Sequence, residues 1–178
     1  MDRFVIISGC SGGGKSTLLG ELNRRGHAVV EEPGRRIVLE EIKGNGSALP
    51  WLDMDAFLHR AIELALADRA LASALKGWVF FDRGLIDAAS GLQESSGKPV
   101  LASLHHTHRY HRRVFLTPPW PEIYQADSER RHDLDIAIAE YTRLLDAYPS
   151  LGYEVFILPK MSVEERADFV LNILKEAP

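Results

Sequence analysis

The sequence predicts an α/β fold built on a parallel sheet, and three observations carry that prediction. Short runs rich in β-branched and aromatic residues alternate with stretches of helical character, the pattern of strand–helix–strand crossovers. The runs are apolar throughout instead of alternating, as strands covered on both faces must be. The first three stop at glycine or at ionisable residues, and an open parallel sheet puts its ligand loops at the carboxyl ends of its strands.

The first run, Phe4-Val5-Ile6-Ile7, reads as a strand. A helix is expected over 16–25, with Leu18, Leu19 and Leu22 on one face and Gly26 as its stop. His27-Ala28-Val29-Val30 reads as the second strand and 35–43 as the helix after it. Gly44-Asn45-Gly46-Ser47 is a loop. Asp53 is expected to cap a long helix reaching about Leu75, with Phe57, Ile62, Leu64, Leu66, Leu71 and Leu75 as apolar positions. Trp78-Val79-Phe80-Phe81 predicts a third strand, Val114-Phe115-Leu116 a fourth and 153–158 a fifth. Helices are expected over 133–147 and 163–175. Residues 44–60 and 84–110 carry no motif and are expected to shape a pocket. No repeat, low-complexity stretch or linker interrupts the chain, so one domain is expected over 1–178.

Gly9-Cys10-Ser11-Gly12-Gly13-Gly14-Lys15-Ser16 matches G-x-x-x-x-G-K-[ST] at every fixed position, directly after a strand and before a helix. Glycines let the backbone curl so that successive N–H groups point at phosphate oxygens, and the helix start adds the positive end of its dipole. Lys15 is expected to reach the β- and γ-phosphates, and the Ser16 hydroxyl to ligate Mg²⁺. Residues 9–17, Thr17 included, are therefore expected to hold ATP or GTP. No base-specific motif chooses between the two. Cys10 reads as a small tolerated residue of the loop and not as a redox switch.

The strand ends supply the remaining candidates. Asp82 closes a hydrophobic run, the pattern of an acid that holds magnesium directly or through water. Glu32 is a candidate base for an acceptor hydroxyl, in competition with Glu31, because neighbouring strand residues face opposite ways. Arg35 and Arg83 lie beside these acids. Arg130 and Arg131, after the Pro-rich segment 118–121, are expected to close over a bound triphosphate. Trp120 and Tyr124 suit either ring stacking or core filling. His105, His106, His108 and His111 read as a solvated, partly packed surface, since no cysteine supports a metal site there.

Composition narrows the function classes. A hydrophobic fraction of 46% and a charged fraction of 26% are those of a globular domain, and the net charge of −4 argues against a broad nucleic-acid surface. A single cysteine excludes an internal disulfide and suggests a reducing compartment. No run approaches the ~20 apolar residues of a membrane span, so a cytoplasmic protein is expected.

Taken together, the phosphate loop, the segment Val29-Val30-Glu31-Glu32-Pro33-Gly34-Arg35, the strand Val79-Phe80-Phe81-Asp82-Arg83-Gly84 and the run Val114-Phe115-Leu116-Thr117-Pro118-Pro119-Trp120-Pro121 resemble the AAA-28 type group of P-loop proteins. These are small ATPase/kinase domains similar to the ribosylnicotinamide kinase domain of a bifunctional NAD-biosynthesis regulator and to nucleoside and nucleotide kinases. The resemblance covers nearly the whole chain. It implies a three-layer P-loop fold with strand order 2-3-1-4-5 and a lid at about 118–132, where Asp127-Ser128-Glu129-Arg130-Arg131-His132 lies. It also implies a catalytic carboxylate at Glu32-Pro33 and an acid–arginine pair at Asp82-Arg83, and the Glu-x-x-Arg spacing of Glu32 and Arg35 favours Glu32 over Glu31. The expected activity is transfer of the γ-phosphoryl group of MgATP to a small nucleoside-like or other hydroxyl acceptor. A regulatory NTPase acting on a protein partner and a kinase of polynucleotide 5′ hydroxyls are the alternatives. The oligomeric state and the acceptor are not readable from the sequence.

Overall fold

The structure is a computed structural model that describes residues 3–44, 46–123 and 134–175. Five strands, β1 (Phe4–Gly9), β2 (Ala28–Val30), β3 (Val79–Asp82), β4 (Arg113–Thr117) and β5 (Glu154–Ile157), form one sheet in the order β2-β3-β1-β4-β5. Every pairing is parallel. The implied order 2-3-1-4-5 is the order found. Central β1 is buried at all six positions, which explains its uninterrupted apolar run, whereas the edge strands β2 and β5 are only partly covered.

Alternation along β1 divides the core into two layers. Phe4 and Ile6, with Phe81, Val114 and Leu116, face one side. There they meet α3 (Met54–Ala72), α4 (Leu85–Ser96) and α6 (Leu134–Ser150) through Ala65, Leu85, Ile86, Ala89, Leu144 and Tyr148. Val5 and Ile7, with Phe80 and Phe115, face the other side and pack on α1 (Lys15–Arg24) and α7 (Val163–Lys175) through Leu18, Leu22, Ala167 and Val170. Each large apolar side chain so buried contributes about 2 kcal/mol. The result is three layers, helices on both faces of a parallel sheet.

Several boundaries and faces differ from the sequence reading. Helix α2 (Pro33–Lys43) starts two residues earlier than expected, because Pro33 occupies the first helical position, where its fixed φ suits the turn and its missing N–H removes nothing. Asp53 caps α3 as expected, its side chain accepting from Ala56 N at 2.9 Å. That helix stops at Ala72, however, and its buried stripe is Leu58, Ala61, Ala65 and Ala72 with Asp68 and Arg69. Leu71 and Leu75 are exposed. Alanines let α3 lie close against α4, so the small residues were the inward face and some of the large ones were not. Helices α4 and α5 (Leu101–Thr107) were not foreseen. In α4 seven of the first eight positions are buried, Leu85 to Ser90 and Leu92, which leaves no helical period to read. Helix α7 spans the expected residues, and α6 runs on to Ser150. Among the described residues no helix is long and apolar enough to cross a membrane.

Candidate active site

Parallel register gathers the candidate residues at one end of the sheet. Ile7 lies beside Asp82, Gly9 beside Thr117 and Val30 beside Phe81, so the segments leaving β1, β2, β3 and β4 emerge together. Gly9 has φ +108°, and a Cβ there would run into the backbone of Thr117, so the loop can leave β1 at this point only through glycine. The loop is tied to β4 by Cys10 N donating to Thr117 O at 2.9 Å. The Thr117 hydroxyl shares its proton between Ser8 O (3.2 Å) and Cys10 O (3.3 Å). Gly14, at φ 79°, precedes α1 and turns the chain into it.

Lys15 is buried, and its Nζ donates to Cys10 O at 2.9 Å and Gly9 O at 3.5 Å. Burial pulls its pKa below the ordinary lysine value, and the nearby Arg83 charge pulls the same way. Ser16 and Thr17 are exposed in the first turn of α1. The Cys10 side chain is buried, and burial pushes its thiol pKa up, which fits the inert reading. From the layer that α7 shares with α1, Arg166 donates to Gly13 O and Gly14 O, both at 3.3 Å, with its guanidinium 5.7 Å above the Trp120 ring.

At the end of β3, burial and then the neighbouring Glu32 push the Asp82 carboxyl up to about 6. Its Oδ1 is buried and has no hydrogen-bond partner among the described residues. A buried anionic oxygen without a partner, beside the phosphate loop, fits a hard divalent cation such as Mg²⁺.

Arg83 organises the rest. It has φ 60°, a conformation that a non-glycine residue adopts at a cost of about 1 kcal/mol, and its N–H donates to Ile7 O at 3.0 Å. The guanidinium donates to both carboxylate oxygens of Glu140 on α6, at 2.9 and 3.0 Å. Its Nε lies 3.3 Å from Glu32 Oε1, and Nη1 lies 3.6 Å from Asp87 Oδ1. Burial works against the arginine charge, but Glu140, Glu32, Asp87 and Asp82 raise its pKa. For Glu140 burial pushes upward, yet Arg83 and then Lys15 hold the carboxyl below its ordinary value. Asp87 accepts from Ser8 Oγ, from Tyr148 Oη at 2.8 Å and from Gly84 N at 2.9 Å.

A cleft of about 380 Å³ opens beside the loop. Glu32, Arg35, Arg83 and Glu140 line its charged part, and Val38, Met54, Phe57, Leu58 and Ile136 line an apolar part. The unassigned stretches 44–60 and 84–110 do contribute walls, through Met54, Phe57 and Gly91 among others. Glu31 is exposed and does not line the cleft. The Glu32 side chain makes no cap bond to its own helix; its carboxylate lines the cleft beside Arg83.

The sequence candidates Lys15, Glu32, Arg35, Asp82 and Arg83 therefore converge. Tyr124, Asp127, Arg130 and Arg131 lie outside the described residues. The histidines sit elsewhere: His111 N donates to Phe4 O at the start of β1, the opposite end of the sheet, and His105 is buried with its ring against Tyr153. Sequence reasoning missed Glu140, Asp87, Tyr148 and Arg166. Glu140 falls on the stripe of α6 that carries Ala137, Leu144 and Ala147, and an acid on an apolar stripe was the available signal.

A parallel sheet of order 2-3-1-4-5 with a phosphate loop after β1 defines the P-loop kinase fold. The chain belongs to the AAA-28 family of AAA domains, whose profile matches residues 4–166. Among solved structures it is similar to deoxyadenosine kinase from M. mycoides with the products dCMP and dCDP, at a TM-score of 0.67 and 12% identity, covering 96% of this chain and 98% of that one. The same enzyme with bound dATP matches at a TM-score of 0.60 and 15% identity, over 97% and 100% of the two chains. Thymidylate kinase from Ehrlichia chaffeensis matches at 0.66 and 15% identity, over 97% and 98%. No curated protein matches the chain in sequence.

Proposed function

We propose that the protein is a kinase of one domain that transfers the γ-phosphoryl group of MgATP to the hydroxyl of a small, nucleoside-like acceptor. The observation that carries this reading is the carboxylate of Glu32, which lines a cleft beside the phosphate loop and lies 3.3 Å from the buried Arg83. A positioned carboxylate at that place can take the acceptor proton as the acceptor oxygen forms its bond to the γ-phosphorus. The bond from phosphorus to the β–γ bridging oxygen breaks, and ADP leaves. Lys15 moves onto the β- and γ-phosphate oxygens, and loop amides hold the rest of the triphosphate. Ser16 and Asp82 would hold Mg²⁺, which when bound neutralises charge on the phosphate oxygens. Arg83 holds the Glu32 carboxylate in position through their ion pair, and Arg35 lines the same part of the cleft. The resemblance to nucleoside and nucleotide kinases supports the same class of reaction, and the apolar part of the cleft suits a flat ring.

Purified protein with MgATP is to be offered nucleosides, nucleotides and other small alcohols, with ADP and phosphorylated product measured together. The expected result is a product with one acceptor class, lost in Lys15→Ala and lowered by about 10²-fold or more in Glu32→Gln. Hydrolysis indifferent to every acceptor and to Glu32 would overturn the kinase reading in favour of a regulatory NTPase.

A further inference from the structure

We infer that the acceptor is a hydroxyl compound carrying no phosphate, and that Glu140 is the residue that enforces this by occupying the guanidinium of Arg83. The inference rests on the acceptor site proposed above.

Away from a backbone nest a phosphomonoester is held best by a cation fork, and arginine is the side chain that offers one. Among the described residues the cleft is lined by three guanidinium groups, Arg35, Arg83 and Arg143, and by four carboxylates, Glu32, Asp87, Glu94 and Glu140. Acids therefore outnumber bases where an acceptor phosphate would bring further negative charge.

The disposition matters more than the count. Arg83 has five N–H donors in a fixed plane. Its outer pair, Nη1 and Nη2, is engaged by both oxygens of Glu140 at 2.9 and 3.0 Å. Its Nε faces Glu32, and Nη1 also faces Asp87 at 3.6 Å. The edge that would chelate a phosphate is thus filled by a carboxylate of the protein's own. Arg143 donates through Nε to Ser90 Oγ at 3.2 Å. A phosphate chelated by Arg83 would have to displace Glu140 and would then lie beside Glu32. An uncharged hydroxyl compound has neither obstacle, and its apolar body finds Val38, Met54, Phe57 and Leu58.

The experiment titrates inorganic phosphate into the protein loaded with magnesium and a non-hydrolysable ATP analogue, followed by calorimetry. The phosphate loop is the same in every variant, so differences among them report the cleft. Wild type is expected to take up no phosphate below roughly 10 mM, and Glu140→Gln to bind it about tenfold tighter or better. Glu140→Asp, which keeps the charge, is expected to behave as wild type, and thermal melts establish that all three are folded. Submillimolar phosphate binding by wild type, or no gain in Glu140→Gln, would overturn the inference. For any acceptor found, the kcat/KM preference for the alcohol over its phosphomonoester should be large in wild type and shrink in Glu140→Gln. A preference for the phosphomonoester overturns the inference too. If nothing is phosphorylated, the kinase reading falls, while the phosphate titration still decides the question about Glu140 because it needs no turnover.

Discussion

At the scale of the residue, Asp82 shows how a site oxygen is bought with stability. Its carboxyl is buried at the end of β3, one oxygen has no partner among the described residues, and its pKa stands at about 6 against 3.8 for a free aspartate. A folded-state pKa above the unfolded value means that the native protein binds the proton more tightly. The stabilisation from protonation is thus complete below about pH 4, fades as the pH rises through 6 and is gone above it. The difference between the two values corresponds to about 3 kcal/mol. Asp82→Asn should therefore be the more stable protein at pH 7.5, by up to that amount, in chelator and without nucleotide. The two denaturation curves should converge near pH 4. The same variant should lose magnesium-dependent transfer. Equal stability at both pH values would mean that Asp82 is better solvated than its position implies.

At the scale of the element, the phosphate loop is held by the sheet, through Thr117 of β4, and by the α1–α7 layer, through Arg166. The arginine's two bonds fix the carbonyls of Gly13 and Gly14, and Trp120 stacks with its guanidinium. Arg166→Gln removes that clamp while every residue proposed to meet the nucleotide keeps its own side chain. It should weaken binding of an ATP analogue about tenfold, through loss of a preorganised loop. A lowered melting temperature with unchanged analogue affinity would assign Arg166 to packing alone. The elements also explain what could be read in advance. Central β1 is legible because burial on both faces demands an unbroken apolar run, and the loop because its glycines, lysine and serine have fixed spacing. Helix α7 is legible because it is amphipathic along its whole length. Helix α4 is buried on nearly every side and shows no period, and α3 turns alanines inward. Glu140 is a single acid on an apolar stripe whose partner Arg83 is brought to it only by the fold, and Asp87, four residues from Arg83, lies in a helix start buried throughout.

At the scale of the whole molecule, the sheet separates two tasks. The layer of α1 and α7 backs the phosphate loop, whereas the cleft is walled by α2, α3, α4 and α6 on the other side. Only the loop and the residues at the ends of β2 and β3 belong to both. Lys15, buried among the loop carbonyls, and Arg83, facing Glu32, Glu140 and Asp87, are the points through which one side can influence the other. Nucleotide binding to the native state alone stabilises it by mass action, about 2.7 kcal/mol at a hundredfold excess over Kd, but the stabilisation need not be uniform. Hydrogen exchange with a magnesium–ATP analogue should show amides of the phosphate loop, α1 and the start of α7 slowed most. The middle of α3 and the carboxyl-terminal half of α4 should change little until an acceptor is added. Acceptor in turn should protect α2, α3 and α4. Protection spread evenly over both layers by nucleotide alone would mean that the sheet couples the two sides rigidly, and that the division of labour proposed for them is wrong.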